Sequence, residues 1–251
     1  MMKKSNYSYV GISFIILVFG IIFIPRIIDR LKTGDIIRNE RISTDKNQKS
    51  SSKSDEELLF LEINEERRKV PEFSFTDQNG KKVSNKDYLG KVYVVEFFFT
   101  TCPTICPKMN ANMIDLQNHF EEYKEDFGVA SFTINPDHDT PEVLKAYADQ
   151  YGVTNPNWHF LTGDREQIYE LANLGFNIYV GQNDEVEGGF EHSGNFALID
   201  KNGFIRCRKD AFGNPKIFYK GIVSEAEKFD EDGEAEEISM LKEDIKKLLD
   251  E

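Results

Sequence analysis

The segment KVYVVEFFFTTCPTICP, which runs from Lys91 to Pro107, decides the fold of this chain. Residues 91–99 form a nearly continuous run of β-branched and aromatic side chains, which is typical of a strand buried on both faces of a sheet. Cys102 and Cys106 follow where this strand is expected to end. The chain has only three cysteines. This close pair therefore predicts a structural disulfide, a redox couple or a metal site.

Downstream of the cysteines, predicted helices alternate with predicted strands. The helices cover residues 108–127, 139–152 and 164–176, and the strands cover residues 128–134 and 158–163. The second helix has the clearest ends, because Thr140 is a good N-cap, Pro141 suits the first helical position and Gly152 follows the last turn. This alternation indicates a parallel βαβ core.

Two hairpins and a closing helix complete the pattern. Residues 73–84 are two short strands around an Asn-Gly turn, and residues 195–207 form a second hairpin. The closing helix has an apolar stripe made of Ile238, Leu241, Ile245, Leu248 and Leu249. The whole order predicts an α/β, thioredoxin-like fold with a central mixed sheet flanked by helices. In that fold the active cysteines lie where the first core strand meets its helix.

The N-terminal part of the chain is predicted to lie outside this domain. Residues 9–28 are almost entirely apolar and reach the ~20 residues needed to span a bilayer, and no small-residue cleavage site follows them. We therefore predict a short tail (1–8), an uncleaved transmembrane anchor (9–28), a polar tether (29–69) and a thioredoxin-like domain (70–251). The very short basic segment before the anchor predicts that the domain lies on the extracytoplasmic, periplasmic side.

The net charge excludes one class of partner. At −13, with an isoelectric point near 4.9, the protein repels phosphate backbones, so nucleic acid is not an expected partner. The most acidic stretch, residues 224–237, is predicted to be a solvated loop before the last helix.

The cysteine pair is well placed for thiolate chemistry. A helix that starts beside the two cysteines supplies partial positive charge, which lowers a thiol's pKa and favours the form that reacts and that binds metal. Pro103 and Pro107 stiffen the loop. Three residues separate the cysteines, whereas the ordinary thioredoxin motif has two. The wider loop allows a disulfide and also leaves room for an ion. The third cysteine, Cys207, is predicted to be a small buried or edge residue.

Two thiolates need a further ligand, and soft thiolate with imidazole suits copper or zinc. His119 is predicted to lie on a helix surface, His138 in a solvated turn and His159 in a packed position at a strand start. His192 lies in the Gly-rich segment before the strand that starts at Asn195. In a thioredoxin-like fold that loop faces the cysteine loop, which makes His192 the candidate ligand.

Three motifs carry a resemblance to a known family: FTTCPTICP (99–107), NPDHDTPEVLKAYADQYG (135–152) and EHSGNFALIDKNG (191–203). Together with the apolar N-terminal segment they resemble the Sco/SenC family of membrane-anchored copper proteins. The resemblance implies that Cys102, Cys106 and His192 bind copper, as Cu(I) or Cu(II). It also implies delivery of copper to the CuA site of cytochrome c oxidase, whose copper-site subunit is the acceptor. Other copper chaperones and thiol reductants are further expected partners.

The sequence departs from the family pattern outside the implied ligands. Glu191 stands where the family often has aspartate, and Thr104 stands where aspartate often follows the first Cys-Pro. Asn135 and His138 replace a common aspartate and arginine. These differences bear on the tuning of the site, because the neighbours of metal ligands orient them.

Two functions stay open at this point. A metallochaperone would hold copper with Cys102, Cys106 and His192, with solvent or Glu191 completing a Cu(II) site, and would pass it on by ligand exchange rather than act as an enzyme. A thiol-disulfide oxidoreductase would use Cys102 as the attacking thiol and Cys106 as the resolving one, for example to reduce the cysteines of the oxidase copper site. A purely structural disulfide is disfavoured because so small a loop removes little chain entropy.

Overall fold

The computed structural model describes Leu17, Phe19 and residues 57–63, 65–210 and 214–251. Leu17 and Phe19 are helical and exposed. Within the described part of the chain, no helix is long and apolar enough to cross a membrane. The predicted tail, the predicted anchor apart from those two residues, and the predicted tether up to residue 56 lie outside the described residues.

A mixed sheet of ten strands forms the centre of the folded unit. The strands of the chain are β1 (Leu59–Phe60), β2 (Glu62–Ile63), β3 (Glu66–Arg67), β4 (Ser74–Asp77), β5 (Lys82–Ser84), β6 (Val92–Phe98), β7 (Phe127–Thr133), β8 (Trp158–Thr162), β9 (Val180–Gln182), β10 (Phe190–His192), β11 (Asn195–Ile199), β12 (Ile205–Lys209), β13 (Pro215–Lys216) and β14 (Phe218–Lys220). The sheet order is β1-β12-β11-β6-β7-β8-β4-β5, with β13 beside β12 and β14 beside β11. Two small antiparallel pairs, β2 with β3 and β9 with β10, lie outside this sheet.

The helices are α1 (Cys106–His119), α2 (Pro141–Tyr151), α3 (Arg165–Glu170) and α4 (Ile238–Asp250). Short 3₁₀ turns cover Asn85–Tyr88 and Glu121–Tyr123, and a π-helical turn, Leu171–Phe176, extends α3. The three central strands β6, β7 and β8 are parallel, and the other pairs in the sheet are antiparallel. This arrangement confirms the predicted thioredoxin-like α/β fold.

The central strands are buried on both faces, as the run 91–99 predicts. Every residue of β6 and β7 is buried, and aromatic rings fill much of the core, for example Phe97 stacked on Phe132 with 5.4 Å between ring centroids. Buried parallel strands of this kind need cover on both sides, and the βαβ crossovers supply it. The chain therefore leaves the buried end of β6 directly into the loop that carries the two cysteines.

Elements with strong local signals form where the sequence predicts them. β4 and β5 form the first hairpin, β11 and β12 the second, and α4 the closing helix. At the start of α2, the Thr140 hydroxyl accepts a hydrogen bond from the Val143 amide at 3.4 Å, and Gly152 ends the helix with φ of +74°. Both caps are confirmed.

Two predicted helices are shorter than predicted. The first begins at Cys106 and ends at His119 instead of covering 108–127, because the chain turns so that Phe127 can pair with Val92 at the start of β7. The third is α-helical only to Glu170 and continues as the π-helical turn. Apolar periodicity does not detect either change, since core residues continue through both segments.

The folded unit begins N-terminal to residue 70. Strand β1 pairs with β12 at the sheet edge, where Leu59 lies opposite Cys207. Arg206 on β12 is buried and donates to the Leu58 carbonyl at 2.9 Å. Residues 59–60 are therefore part of the sheet edge, although the predicted tether (29–69) includes them. Cys207 is a buried residue, as predicted.

A buried carboxylate fixes the segment that precedes the cysteines. Asp139, just before α2, is inaccessible to solvent and accepts from the Thr100 amide at 3.1 Å and from His138 Nδ1 at 2.9 Å. The hydroxyls of Thr100 and Thr133 also donate to it. One side chain thus joins the end of β7, the start of α2 and the residue two positions before Cys102.

Replacing Asp139 tests this anchor. We expect Asp139→Ala to lower the free energy of unfolding by about 2–5 kcal/mol, because it leaves several buried donors without an acceptor. Urea denaturation measures the change. Asp137→Ala is the matched control: Asp137 lies two residues away with its side chain 80% exposed, so its loss should change stability by less than about 0.5 kcal/mol. Equal effects of the two substitutions would contradict the proposed anchor.

Candidate metal centre

Cys102 and Cys106 lie at the junction of β6 and α1. Helix α1 begins at Cys106, and Ile105 at its N-cap position provides no side-chain hydrogen bond. The sulfur of Cys102 takes that place, since the Cys106 amide points at Cys102 Sγ at 3.5 Å. The Cys102 amide in turn donates to the Phe99 carbonyl at 3.2 Å. A thiolate at this position is stabilised by the helix N-terminus.

His192 reaches the same point from the hairpin of β9 and β10. It is the last residue of β10 and pairs with Val180. Its Nε2 lies 3.3 Å from Cys106 Sγ. The ring packs edge-on against Phe99, with centroids 5.8 Å apart, so an aromatic residue from the end of β6 orients it. The imidazole Nδ1 is buried and has no hydrogen-bond partner among the described residues.

The three predicted ligands converge. Cys102 Sγ, Cys106 Sγ and one ring nitrogen of His192 all lie within 4.8 Å of one another. Cys106 is fully buried, Cys102 is 8% exposed, and His192 is partly exposed. A cleft of about 210 Å³ opens onto the group. It is lined by Phe99, Cys102, Thr104, Ile105, Val186, Glu187, Phe190, Glu191 and His192.

Two glycines allow the hairpin and the cysteine loop to approach each other. Gly188 has φ of +90°, and a Cβ there would lie 3.1 Å from atoms of Phe99 and Pro103. A Cβ on Gly194 would lie 2.2 Å from Ile222 Cγ2 and 3.6 Å from Ile105 Cδ1. A larger residue at position 188 would therefore push the hairpin away from the cysteine loop, whereas a larger residue at position 194 would collide with Ile222.

The two thiols have opposite protonation preferences. The Cys106 side chain, the His192 ring and the amides of Cys106 and Thr104 donate toward Cys102, and together they hold the pKa of the Cys102 thiol far below its ordinary value. Burial raises the pKa of the Cys106 thiol, and the neighbouring Cys102 sulfur raises it further. The pair is thus arranged as a thiolate that accepts from a buried thiol.

The other histidines lie outside this group. His119 is exposed on α1, and His138 is half exposed in the turn before α2. His159 is packed, with its ring 5.8 Å from that of Tyr88 and its Nδ1 3.2 Å from Asp77. These positions agree with the three predictions, although the sequence does not show that His138 contacts Asp139.

Glu191 lines the cleft but does not belong to the three-ligand group. Its Oε1 accepts from Asn183 Nδ2 at 2.7 Å across the hairpin. Thr104 places its hydroxyl 3.7 Å from Cys102 Sγ, so it can donate to the sulfur where a carboxylate would repel it. The acidic segment 224–237 is largely exposed, as predicted.

Buried polar side chains that the sequence does not predict lie close to the centre. Asn110 Nδ2 donates to the Cys106 carbonyl at 2.8 Å and to the Tyr147 hydroxyl at 2.7 Å. Glu96 lies fully buried in β6. The sequence does contain one signal for it, because Glu96 is the single charged residue in the apolar run VYVVEFFF.

The donor set fits a soft metal ion and also fits dithiol chemistry. Two sulfurs and an imidazole nitrogen suit Cu(I) or Zn²⁺, and His192 Nε2 already lies 3.3 Å from Cys106 Sγ. The two sulfurs are also close enough to form a disulfide after a small movement of the loop. Geometry therefore retains both functions that the sequence leaves open.

Comparisons with known proteins assign the family. The SCO1/SenC family model matches residues 62–226. A SCO1 protein homolog of Bacillus subtilis is 36% identical over 157 residues, which are 62% of this chain and 80% of that protein. The crystal structure of a SCO1/SenC family lipoprotein from Bacillus anthracis is similar, with 33% identity, a TM-score of 0.60 and coverage of 72% of this chain and 95% of that one.

A second solved structure is that of BsSco, a member of the Sco family of cytochrome c oxidase assembly proteins in which a disulfide switch was identified. It is 34% identical, with a TM-score of 0.52, and the match covers 62% of this chain and 86% of that one. The residues that the family model matches, 62–226, include Cys102, Cys106 and His192, and this chain belongs to the SCO1/SenC family.

Proposed function

We propose that this protein is a copper-binding metallochaperone that delivers copper to the CuA site of cytochrome c oxidase during its assembly. The observation that carries the proposal is the convergence of Cys102, Cys106 and His192 within 4.8 Å beside an open cleft. The family of oxidase assembly proteins to which BsSco belongs supports the acceptor. The copper-site subunit of the oxidase is then the partner that receives the metal.

The geometry explains how copper would be held. Cys102 is poised as a thiolate, so it binds the ion first without having to lose a proton. Cys106 binds next and releases its proton, and His192 Nε2 already points at the Cys106 sulfur. Fully buried Cys106 is shielded from solvent, which protects the bound ion from competing ligands.

Copper would leave by ligand exchange through the cleft. Cys102 and His192 line the cleft, whereas Cys106 lies behind them. An acceptor thiolate therefore displaces Cys102 or His192 first and Cys106 last. This order keeps the ion coordinated throughout the transfer and avoids release of free copper.

The proposed location follows from the N-terminal segment. We place the anchor at residues 9–28 and the folded unit on the extracytoplasmic side, where a membrane oxidase can be reached. Carbonate extraction of membranes and digestion of intact spheroplasts by an added protease test both statements. Release of the chain by carbonate, or protection of the folded unit from the protease, would overturn this placement.

Copper titration tests the ligand set. Fragment 53–251, which retains strand β1, is titrated anaerobically with its thiols reduced. We expect the wild type to bind one equivalent of copper tightly. His192→Ala should lower the copper affinity by about 10–100-fold or more, since loss of a residue that only supports a ligand already lowers metal affinity by that factor. His119→Ala is the matched control, because His119 is an exposed histidine of α1. Metal analysis, visible absorption and paramagnetic resonance follow the binding, and equal affinity in all three proteins would exclude His192 as a ligand.

A thiol-disulfide oxidoreductase is the second candidate function, and the lowered pKa of Cys102 favours it. Cys102 would attack a substrate disulfide, and Cys106 would then resolve the mixed disulfide, so that the substrate is released as two thiols and the Cys102–Cys106 disulfide forms. The disulfide switch of BsSco is consistent with such a cycle. His192 would take no direct part in this cycle and would only help to lower the pKa of Cys102.

Alkylation of the copper-free, reduced protein tests the order of reactivity. We expect iodoacetamide to modify Cys102 first, at a rate that stays nearly constant from about pH 8 to pH 5, because the lowered pKa keeps this thiol ionised over that range. Cys207, whose pKa burial raises to about 11, should stay unmodified in the folded protein. Mass spectrometry identifies the modified residue. A Cys102 rate that falls about tenfold per pH unit below pH 8 would show an ordinary thiol.

A further inference from the structure

Glu96 is a carboxyl group in a place that normally excludes charge. It lies in the middle of β6 with no solvent exposure, between Val95 and Phe97. A charge in such an environment is costly unless it is paired with an opposite charge or neutralised by a proton. The sheet register places it beside Ser131 of β7.

The hydrogen bonds of Glu96 are only half satisfied. Its Oε1 accepts from the Ser131 hydroxyl at 2.6 Å, and Ser131 Oγ accepts from Trp158 Nε1 at 3.0 Å. Its Oε2 is buried and has no hydrogen-bond partner among the described residues. One donor does not offset full burial, and the pKa of Glu96 rises to about 7 because burial outweighs the Ser131 hydrogen bond. The carboxyl can therefore change its charge near neutral pH.

Glu96 belongs to the polar group beneath the metal centre. Glu96 lies on the same face of β6 as Phe98, whose ring stacks on that of Tyr147 of α2 with 5.5 Å between centroids. Burial and, to a smaller extent, the charge of Glu96 raise the pKa of Cys106 on α1 and of Tyr147. Asn110 links these two elements, because its amide donates to the Cys106 carbonyl and to the Tyr147 hydroxyl. The groups that face Glu96 from β7 and β8, Ser131 and Trp158, do not titrate.

The net charge of the copper-loaded centre depends on the oxidation state of the copper. Two thiolates and a neutral imidazole give a net charge of −1 around Cu(I) and zero around Cu(II). A buried anion nearby disfavours the first state more than the second, because Coulomb interactions are strong at low dielectric. The unpartnered Oε2 of Glu96 is the atom that can take up a proton in response.

We propose that Glu96 is the charge-balancing residue of this centre, ionised beneath Cu(II) and protonated beneath Cu(I). When a one-electron donor reduces the bound Cu(II) to Cu(I), one proton from solvent binds to Glu96 Oε2, and it leaves again on oxidation. Glu96 is not a metal ligand, and it acts on the bound ion only through the charge of its carboxyl group. This inference rests on the proposed copper function and extends it to the oxidation state that the site favours.

The pH dependence follows from the sign of this coupling. Glu96 holds its proton more tightly in the Cu(I) form than in the Cu(II) form. Between the pKa values of Glu96 in the Cu(II) form and in the Cu(I) form, the midpoint potential of bound copper falls as pH rises. Its slope there approaches the value for one proton taken up per electron. Below both values and above both values, Glu96 contributes no pH dependence.

The test compares the copper-loaded wild type with Glu96→Gln, which keeps the shape and an oxygen that accepts from Ser131 but cannot ionise. A spectroelectrochemical titration between about pH 5 and pH 9 measures the midpoint potential. We expect the pH-dependent segment to vanish in Glu96→Gln and the potential at high pH to exceed that of the wild type, since an anion that favours Cu(II) is gone. Glu121→Gln, an exposed glutamate in the turn after α1, is the control and should match the wild type.

Two further measurements keep the inference testable if Glu96→Gln fails to fold. Ser131→Ala removes the hydrogen bond that favours the ionised carboxyl, so the pH-dependent segment should move to higher pH. Infrared difference spectra of the wild type should show the carbonyl band of a protonated carboxyl appearing on reduction. An unchanged segment in Ser131→Ala together with no such band overturns the role of Glu96.

The outcomes separate this inference from the proposed function. A wild-type chain that takes up no copper overturns both. Copper binding with the same pH dependence of potential in wild type and Glu96→Gln overturns only the role of Glu96. Loss of the pH-dependent segment in Glu96→Gln, with copper still bound and Glu121→Gln unchanged, supports it.

Discussion

The hydrogen bond from the Cys106 amide to the Cys102 sulfur is the interaction on which the site depends. A buried parallel strand, β6, leads into a helix that has no side-chain cap from Ile105. The Cys102 sulfur therefore satisfies a backbone amide at the start of α1, and the helix in return stabilises the thiolate. This hydrogen bond joins the loop after β6 to the first turn of α1 and so positions both sulfurs.

Two buried carboxylates, Asp139 and Glu96, differ in the number of hydrogen-bond donors that surround them, and this difference determines what each one does. Asp139 receives donors from Thr100, Thr133 and His138, so its charge is fully compensated and it serves as an anchor. Glu96 accepts from Ser131 with one oxygen, and its other oxygen has no partner in the part of the chain that the structure describes. Burial raises the pKa of Glu96 to about 7, so this carboxyl can take up a proton near neutral pH. The same carboxylate group thus serves as an anchor where several donors surround it, and can change its charge where only one donor is present.

The sequence predicts those parts of the structure whose determinants are local. The Asn-Gly hairpin at β4 and β5 and the caps of α2 depend on residues within a few positions of each other, and they form as predicted. The end of α1 depends on the pairing of Phe127 with Val92, and apolar spacing along one helix does not record that pairing. The same limit hides the partners of Glu96 and Asp139, which are brought together only by the sheet. His192 is an exception, because the fold family tells which loop faces the cysteines.

One feature of the centre serves copper binding and thiol exchange equally, and another does not. A thiolate at Cys102 backed by a buried thiol at Cys106 is useful to both functions. His192 is different, because disulfide exchange itself needs only the two thiols. A separate hairpin, formed by β9 and β10, nevertheless brings the imidazole to the sulfurs. Gly188 allows that approach, because a side chain there would meet Phe99 and Pro103, and Phe99 packs edge-on against the imidazole ring. An imidazole nitrogen 3.3 Å from a buried sulfur therefore favours the proposed copper function. Thiol exchange by the same two cysteines remains the second proposed function.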